Sequence, residues 1–241
     1  MDNITRVFDL LKYNLTNFPK DEFISGKVNG KWVSYSTQSF CETTDNLSKG
    51  LIQLGFGKAN RIAVMSPNRP EWNITDYAIN QIGAYQVPLY PTLSEHDVKF
   101  ILENAEVSLV FVNDKDLYHK VNSVNAQLTK PVQIYSFEEI ADVKHWKEIV
   151  EIGSQTTIDL KPYQDAVKPE DILTLIYTSG TTGTPKGVML THANLVSNFK
   201  NSSVLLPPNI HKSLSFLPLS HIFERMISYL YAYGNVSVYY A

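Results

Sequence analysis

The chain has 241 residues, 44% of them hydrophobic and 19% charged, so it carries enough apolar surface for a sizeable core and lacks the composition of a disordered segment. Its formal net charge of −3 argues against a general nucleic-acid binder, which needs a basic excess to neutralise phosphates. A lone cysteine, Cys41, excludes an intrachain disulfide and points to a reducing, cytoplasmic compartment; residues Met1 to Arg6 lack the features of a secretory signal, and no run approaches the ~20 apolar residues that span a bilayer, which leaves only peripheral membrane contact open.

In chain order, a helix is expected over about residues 4 to 17, then a hairpin-like Val28-Asn29-Gly30-Lys31-Trp32-Val33 with an Asn-Gly turn. Phe40, Thr44, Leu47, Leu51 and Leu54 recur at helical spacing around Cys41, so the thiol reads as a small buried side chain in a helix that ends at Gly55, a suitable C′ residue. Arg61 to Ser66 is a buried strand candidate. Asn68 is the expected cap of the next helix, with Pro70 in the first turn, Glu71 three residues after the cap, and Ile74, Tyr77, Ala78 and Ile82 along one face. Tyr85 to Leu89 is a second strand, Ser94-x-x-Asp97 opens a helix with Val98, Ile101, Leu102 and Ala105 inward, and Val107 to Val112 is a third strand.

The interval 113–165 is less patterned: 117–124 and 137–150 read as helices and Val132 to Tyr135 as a strand. Lys168-Pro169-Glu170 marks the entry to Ile172–Tyr177, a β-branched and aromatic run typical of a buried strand, and Thr191 is the N-cap of a helix turning Leu195, Val196 and Phe199 inward. A strand over 214–217 leads to His221 at the start of another helix, and Val236 to Ala241 is again strand-like. Strands alternating with helices predict an α/β fold, a layered, mostly parallel sheet flanked by helices, with its ligand at the carboxyl ends of the strands.

Between the Ile172 strand and the Thr191 helix lies Tyr177-Thr178-Ser179-Gly180-Thr181-Thr182-Gly183-Thr184-Pro185-Lys186-Gly187. Glycines let backbone N–H groups approach an anion, the hydroxyls donate further bonds, and the lysine supplies a mobile charge, so the stretch reads as a polyphosphate cradle set between strand and helix. It is not a Walker A loop, because Pro185 precedes Lys186 and Gly187 follows it, where that pattern has Gly-Lys-Ser/Thr.

With its continuation Val188-Met189-Leu190-Thr191-His192, this stretch resembles the phosphate-binding signature of the acyl-adenylate-forming (AMP-binding) superfamily of acyl-CoA synthetases, luciferases and peptide-synthetase adenylation domains. Three further stretches are similar to the long-chain fatty acyl-CoA synthetase branch: Asn68-Arg69-Pro70-Glu71-Trp72, Gly83-Ala84-Tyr85-Gln86-Val87-Pro88-Leu89-Tyr90-Pro91-Thr92, and Leu217-Pro218-Leu219-Ser220-His221-Ile222-Phe223-Glu224-Arg225. The resemblance covers most of residues 30–241, with little from 113–165.

The resemblance implies a fatty acid–CoA ligase that joins a carboxylate to the α-phosphate of ATP, releases pyrophosphate and passes the acyl group to coenzyme A. It implies that Thr178, Ser179, Gly180, Thr181, Thr182 and Gly183 wrap the β- and γ-phosphates, and that Lys186 offsets charge on the leaving pyrophosphate. It further puts Thr178 nearest a Mg2+ ion and His221 where acyl carboxyl group and adenylate meet, the plainer readings being a hydroxyl that bonds only the loop backbone and a helix-start histidine bonded to nearby backbone. Glu224 and Arg225 read equally as a local ion pair or as anchors, and the apolar helix after His221 equally as core or as the wall of an acyl tunnel. No coenzyme A determinant can be recognised. Residues 1–241 would be an N-terminal AMP-binding domain incomplete at its C-terminal end, without the mobile C-terminal domain and inactive alone. An adenylating enzyme for another carboxylic acid and a non-catalytic nucleotide-binding module are the competing readings.

Overall fold

The computed structural model describes residues 3–28, 30–178 and 185–240. Asn29 of the first hairpin and Ser179, Gly180, Thr181, Thr182 and Gly183 of the expected cradle lie outside the described residues.

Helix α1 (Asp9–Asn17) starts later than residue 4 because the Asp9 carboxylate accepts from the Thr5 and Arg6 N–H groups, at 3.0 and 2.8 Å, and closes a turn ahead of the helix. Strands β1 (Ile24–Val28) and β2 (Lys31–Tyr35) form the expected antiparallel hairpin, and α2 (Thr37–Gln53) ends ahead of Gly55, whose φ of +88° favours glycine. Then β3 (Arg61–Met65), α3 (Pro70–Gln81), β4 (Tyr85–Leu89), α4 (Glu95–Asn104), β5 (Leu109–Val112) and α5 (Lys115–Asn125) alternate, with Ser94 capping α4 by accepting from the Asp97 N–H. Asn68 is not the cap of α3: Arg69 holds that position, and the Asn68 amide is engaged elsewhere in the fold.

Strand β6 (Gln133–Ser136) is followed by a loop rather than by the helix expected from residue 137. Phe137 stacks on Phe111 at 5.7 Å in the core, and Ser136 N–H donates to the Lys144 carbonyl at 2.9 Å, which closes the loop. Helix α6 (Trp146–Gln155) begins only after His145 and Glu148 exchange capping bonds. The chain continues through α7 (Lys161–Ala166), β7 (Ile172–Thr178), β8 (Lys186–Thr191), α8 (His192–Ser202), β9 (Lys212–Ser215), α9 (Ile222–Tyr233) and β10 (Ser237–Tyr240).

The strands make two mixed sheets flanked by helices, an α/β fold. The six-stranded sheet has the order β6-β5-β3-β4-β7-β8 and is parallel except at β7–β8; the four-stranded sheet runs β2-β1-β10-β9. One core lies between them, with Ile62, Val64, Leu109 and Phe111 from the larger sheet, Ile24, Val238 and Tyr240 from the smaller, and Trp72, Tyr77 and Tyr229 from helices. The other lies under α4 and α5, where Ala63, Met65, Val87, Leu89, Val110 and Val112 meet Val98, Ile101 and Val121. Successive residues of β3 and β5 alternate between the two cores, which is why both strands are continuously apolar. Among the described residues no helix is long and apolar enough to cross a membrane.

Helix α3 runs through the first core and is buried along most of its length, so its polar side chains need partners. Asn73 donates to Ser228 Oγ at 2.9 Å and accepts from Tyr240 Oη at 2.7 Å. Asp76 accepts from Arg225 and from the Tyr229 hydroxyl, and the Asp76 and Arg225 side chains are both fully buried. Arg225 Nε–H also donates to Tyr229 Oη at 2.8 Å. Arg225 is therefore an anchor between α9 and α3 and not half of a pair with Glu224, which instead accepts from Ser215 Oγ at 2.5 Å.

Candidate active site

The glycine-rich stretch joins two paired strands, not a strand and a helix. β7 and β8 are antiparallel, Tyr177 lies opposite Gly187 and Thr178 opposite Lys186, and α8 begins only at His192 behind its Thr191 cap. The sequence from Lys186 to Thr191 is extended because Val188, Met189 and Leu190 continue a ladder that Gly187 does not interrupt. The positive end of α8 thus stands a full strand away from Lys186, so an anion at this stretch would be met by backbone N–H groups, hydroxyls and the lysine rather than by a helix dipole.

The ladder fixes which edge and which face the described members of the stretch occupy. β4 and β7 are parallel with Gln86 opposite Thr174, and counting on in both strands brings Tyr90 level with Thr178 at the carboxyl edge. Leu190, opposite Thr174, packs against the first core, so Thr178 and Lys186 lie on that side of the sheet, whereas Leu175 and Tyr177 pack against the second core. Thr178 and Lys186 are both exposed.

His221 reaches the same edge by a different route. It is the N-cap of α9, and its Nδ1 accepts from the Phe223 N–H at 3.2 Å. In the neutral ring this leaves the proton on Nε2, free to donate outward. Just before it, Ser220 Oγ donates to the Leu89 carbonyl at 3.3 Å, and Asn68 donates to the Leu217 carbonyl at 2.7 Å while accepting from the Leu219 N–H at 2.8 Å. Residues 217–221 are thereby laid over the ends of β3 and β4. His221, Tyr90, Leu217, Pro218, Phe223 and Glu224 enclose a pocket of about 330 Å³. A second groove of about 230 Å³ shares Leu217, Phe223 and Glu224 with it and continues past Leu214, Phe216, Ile227 and Tyr231. Burial pushes the Glu224 carboxyl above its usual range, against the opposing pull of the Ser215 hydroxyl.

Of the expected site residues, Thr178, Lys186 and His221 thus share one strand edge, with Tyr90 between the first two and the third. Two of the motif stretches, 68–72 and 217–225, prove to be one joint: Asn68 holds the turn before His221, and Asp76, one turn beyond Trp72, holds Arg225. The sequence carried a signal of this joint, since Asn73, Asp76 and Asn80 form a polar stripe at helical spacing along α3, a helix whose residues are almost all buried. Cys41 is buried, and burial pushes its thiol up to about 12, as a structural cysteine requires.

Among the described residues no group of three or more His, Cys, Asp or Glu side chains could hold a metal ion. A magnesium ion whose ligands are mostly phosphate oxygens and water still fits, because such an ion asks only one hard oxygen or two of the protein, and the Thr178 hydroxyl is of that kind.

The sequence model of the family described as AMP-binding enzyme matches residues 11–241. This chain belongs to the AMP-binding enzyme family. Among curated relatives, fatty acyl-CoA synthetase A of Dictyostelium discoideum is 36% identical over 220 residues, which are 84% of this chain and 31% of that protein. Long chain acyl-CoA synthetase 7, peroxisomal, of Arabidopsis thaliana is 31% identical over 98% of this chain and 35% of its own length. The AMP-binding chain is thus related to long-chain acyl-CoA synthetases, and it spans about a third of the curated relatives it matches. Among solved structures, a Mycobacterium tuberculosis fatty acyl CoA synthetase superposes with a TM-score of 0.80 at 20% identity, over 100% of this chain and 45% of that one. VinN in complex with L-aspartate superposes almost as well, with a TM-score of 0.78 at 21% identity over 98% of this chain and 57% of that one. At such identities the likeness is one of fold.

Proposed function

We propose that the complete protein is an ATP-dependent long-chain fatty acid–CoA ligase, which activates the acid as an acyl-adenylate with release of pyrophosphate before transfer to coenzyme A, and that residues 1–241 belong to its N-terminal AMP-binding domain. What supports this reading is the register that brings Thr178 and Lys186 to the strand edge where Tyr90, which lines the His221 pocket, also lies.

A carboxylate approaching a triphosphate meets several negative charges, so the site must neutralise charge and hold the reactants in line. Lys186 offsets charge on the β- and γ-phosphates and on the departing pyrophosphate. Thr178, with Ser179, Gly180, Thr181, Thr182 and Gly183, wraps those phosphates, and Thr178 is the hydroxyl nearest to the magnesium ion that accompanies ATP. When bound, that ion screens the phosphate charge. His221 donates from Nε2 to an oxygen of the acyl carboxylate or its adenylate, fixing it beside the α-phosphate. The apolar groove past Phe223 and Ile227 takes the acyl chain, with about 0.8 kcal/mol for each methylene removed from water.

The test is carboxylate-dependent ATP–pyrophosphate exchange by the full-length protein across acids of different length. Exchange rising with long-chain acids supports the reading; exchange confined to amino or aryl acids replaces the substrate class, and no exchange with any carboxylate overturns adenylation itself.

A further inference from the structure

Next to the Thr178–Lys186 pair stands the Tyr177–Gly187 pair, which faces the opposite side of the sheet. Tyr177 is held there from two directions. Its hydroxyl donates to Asn104 Oδ1, on the last residue of α4, at 2.6 Å, and its ring meets Phe100 of α4 edge-on at 6.5 Å. The ring also lies across Gly187: a Cβ there would stand 3.1 Å from Tyr177 Cζ and 3.3 Å from its Oη, tighter than an ordinary contact. Gly187 thus leaves room for the ring, and the ring covers the glycine of an edge strand whose ladder, among the described residues, runs to β7 alone.

From this geometry we infer that Tyr177 and Asn104 are positioning residues for nucleotide binding: α4, acting through the Tyr177 ring, sets the height and twist of β8 and so the separation of Thr178 from Lys186. The inference rests on the phosphate-binding reading of that pair. Strand edges twist easily, and an antiparallel pair at the edge of its sheet needs such a brace to present a hydroxyl and an ammonium group at fixed spacing. Neither Tyr177 nor Asn104 touches the ligand in this scheme, since both lie on the face away from Thr178 and Lys186.

The test uses the full-length protein, with ATP as the probe in pyrophosphate exchange and in equilibrium binding of Mg-ATP. Tyr177→Phe and Asn104→Ala each raise the KM for ATP about 3- to 10-fold, the scale of one hydrogen bond, and leave the KM for the carboxylate unchanged. The double variant goes no further than either single one, because both remove the same bond, and Asn104→Asp, which keeps the acceptor, restores the wild-type KM. A purely structural role would lower the melting temperature without this split. If Lys186→Ala weakens ATP binding while the Tyr177 and Asn104 variants leave it untouched, or if the two single effects add, the brace is overturned and the nucleotide reading stands. A wild-type protein that neither exchanges nor binds ATP overturns both.

Discussion

Asp76 and Arg225 are wholly buried, with the Arg225 guanidinium of α9 donating to the Asp76 carboxylate of α3, whereas Thr178 and Lys186 are exposed on an edge hairpin of the larger sheet. The buried pair gives up the hydration of two full charges, which the Tyr229 hydroxyl and the carboxylate–guanidinium bonds offset, and it gains fixed registration between the helix that follows β3 and the helix that follows His221. The exposed pair gives up little hydration and, among the described residues, is held by its ladder and by the residues behind it. If the proposed function holds, rigidity and chemistry are divided between two regions, one where removal of a group should destabilise the chain and one where it should slow a reaction.

Asp76→Ala breaks the first region most severely. It leaves the Arg225 guanidinium buried without its carboxylate, and a loss of about 3–5 kcal/mol is expected from urea denaturation. Replacing both residues, as in Asp76→Leu with Arg225→Met, recovers part of that loss, because the uncompensated charge goes as well. A change below about 1 kcal/mol for Asp76→Ala would mean that the pair is not buried as described.

Lys186→Ala probes the second region. In the full-length protein it lowers adenylate formation about ten- to a thousand-fold, or roughly 1.4–4 kcal/mol in the barrier, with the denaturation midpoint unmoved. An equal fall in stability would erase the contrast between the regions.

His192 lies where the two regions meet, directly after β8, with its Nδ1 accepting from the Val7 N–H at 3.2 Å. Burial, reinforced by the Arg6 charge and only partly opposed by Asp9, lowers its pKa to about 3. The unfolded chain, with an ordinary value near ~6.5, binds the proton first as pH falls. The contribution of His192 to stability is therefore complete above ~6.5 and is lost by about 1.4 kcal/mol per pH unit below it, about 2 kcal/mol by pH 5, until the folded value is passed. His192→Gln keeps an acceptor for Val7 but cannot titrate, so stability measured from pH 7 to pH 5 should flatten by that amount relative to the parent.

The alternating strands and helices from Arg61 to Val112 were legible because parallel strands buried on both faces write themselves as apolar runs, and Ser94 and Thr191 were legible as caps because their side chains bond to their own backbone. Three features were not. Asn68 had the sequence of a cap, yet its amide serves a loop some 150 positions away, and a long-range bond leaves no local pattern. The apolar spacing around Phe137 predicts a helix, because spacing alone cannot show that its ring stacks on Phe111. The antiparallel turn of β8 was hidden because a glycine-rich stretch between apolar segments looks the same before a strand as before a helix; only the Gly187 opposite Tyr177 hints at a ladder. The polar stripe of α3 showed that a partner was needed without naming Arg225.

The smallest expected effect falls on Asn68, which ties the turn before His221 to the end of β3 and so belongs to both regions. Asn68→Ala removes two bonds given, to the Leu217 carbonyl and more weakly to Ser215 Oγ, and one received, at a site half open to water where the freed Leu217 and Leu219 groups can rehydrate, so about 1–2 kcal/mol of stability is at stake. Asn68→Asp is the sharper variant. It keeps an acceptor for the Leu219 N–H but sets a carboxylate oxygen against the Leu217 carbonyl, so at pH 7 it should be less stable than Asn68→Ala. Below the carboxyl's own pKa the protonated group can donate again, and the deficit relative to wild type at the same pH should shrink. Denaturation curves of the three proteins at pH 7 and pH 4 decide the point: if Asn68→Asp matches wild type at pH 7, the Asn68–Leu217 bond does not fasten the His221 segment, and its place at the strand edge is owed to the bonds of Leu219, Ser220, Glu224 and Arg225 instead.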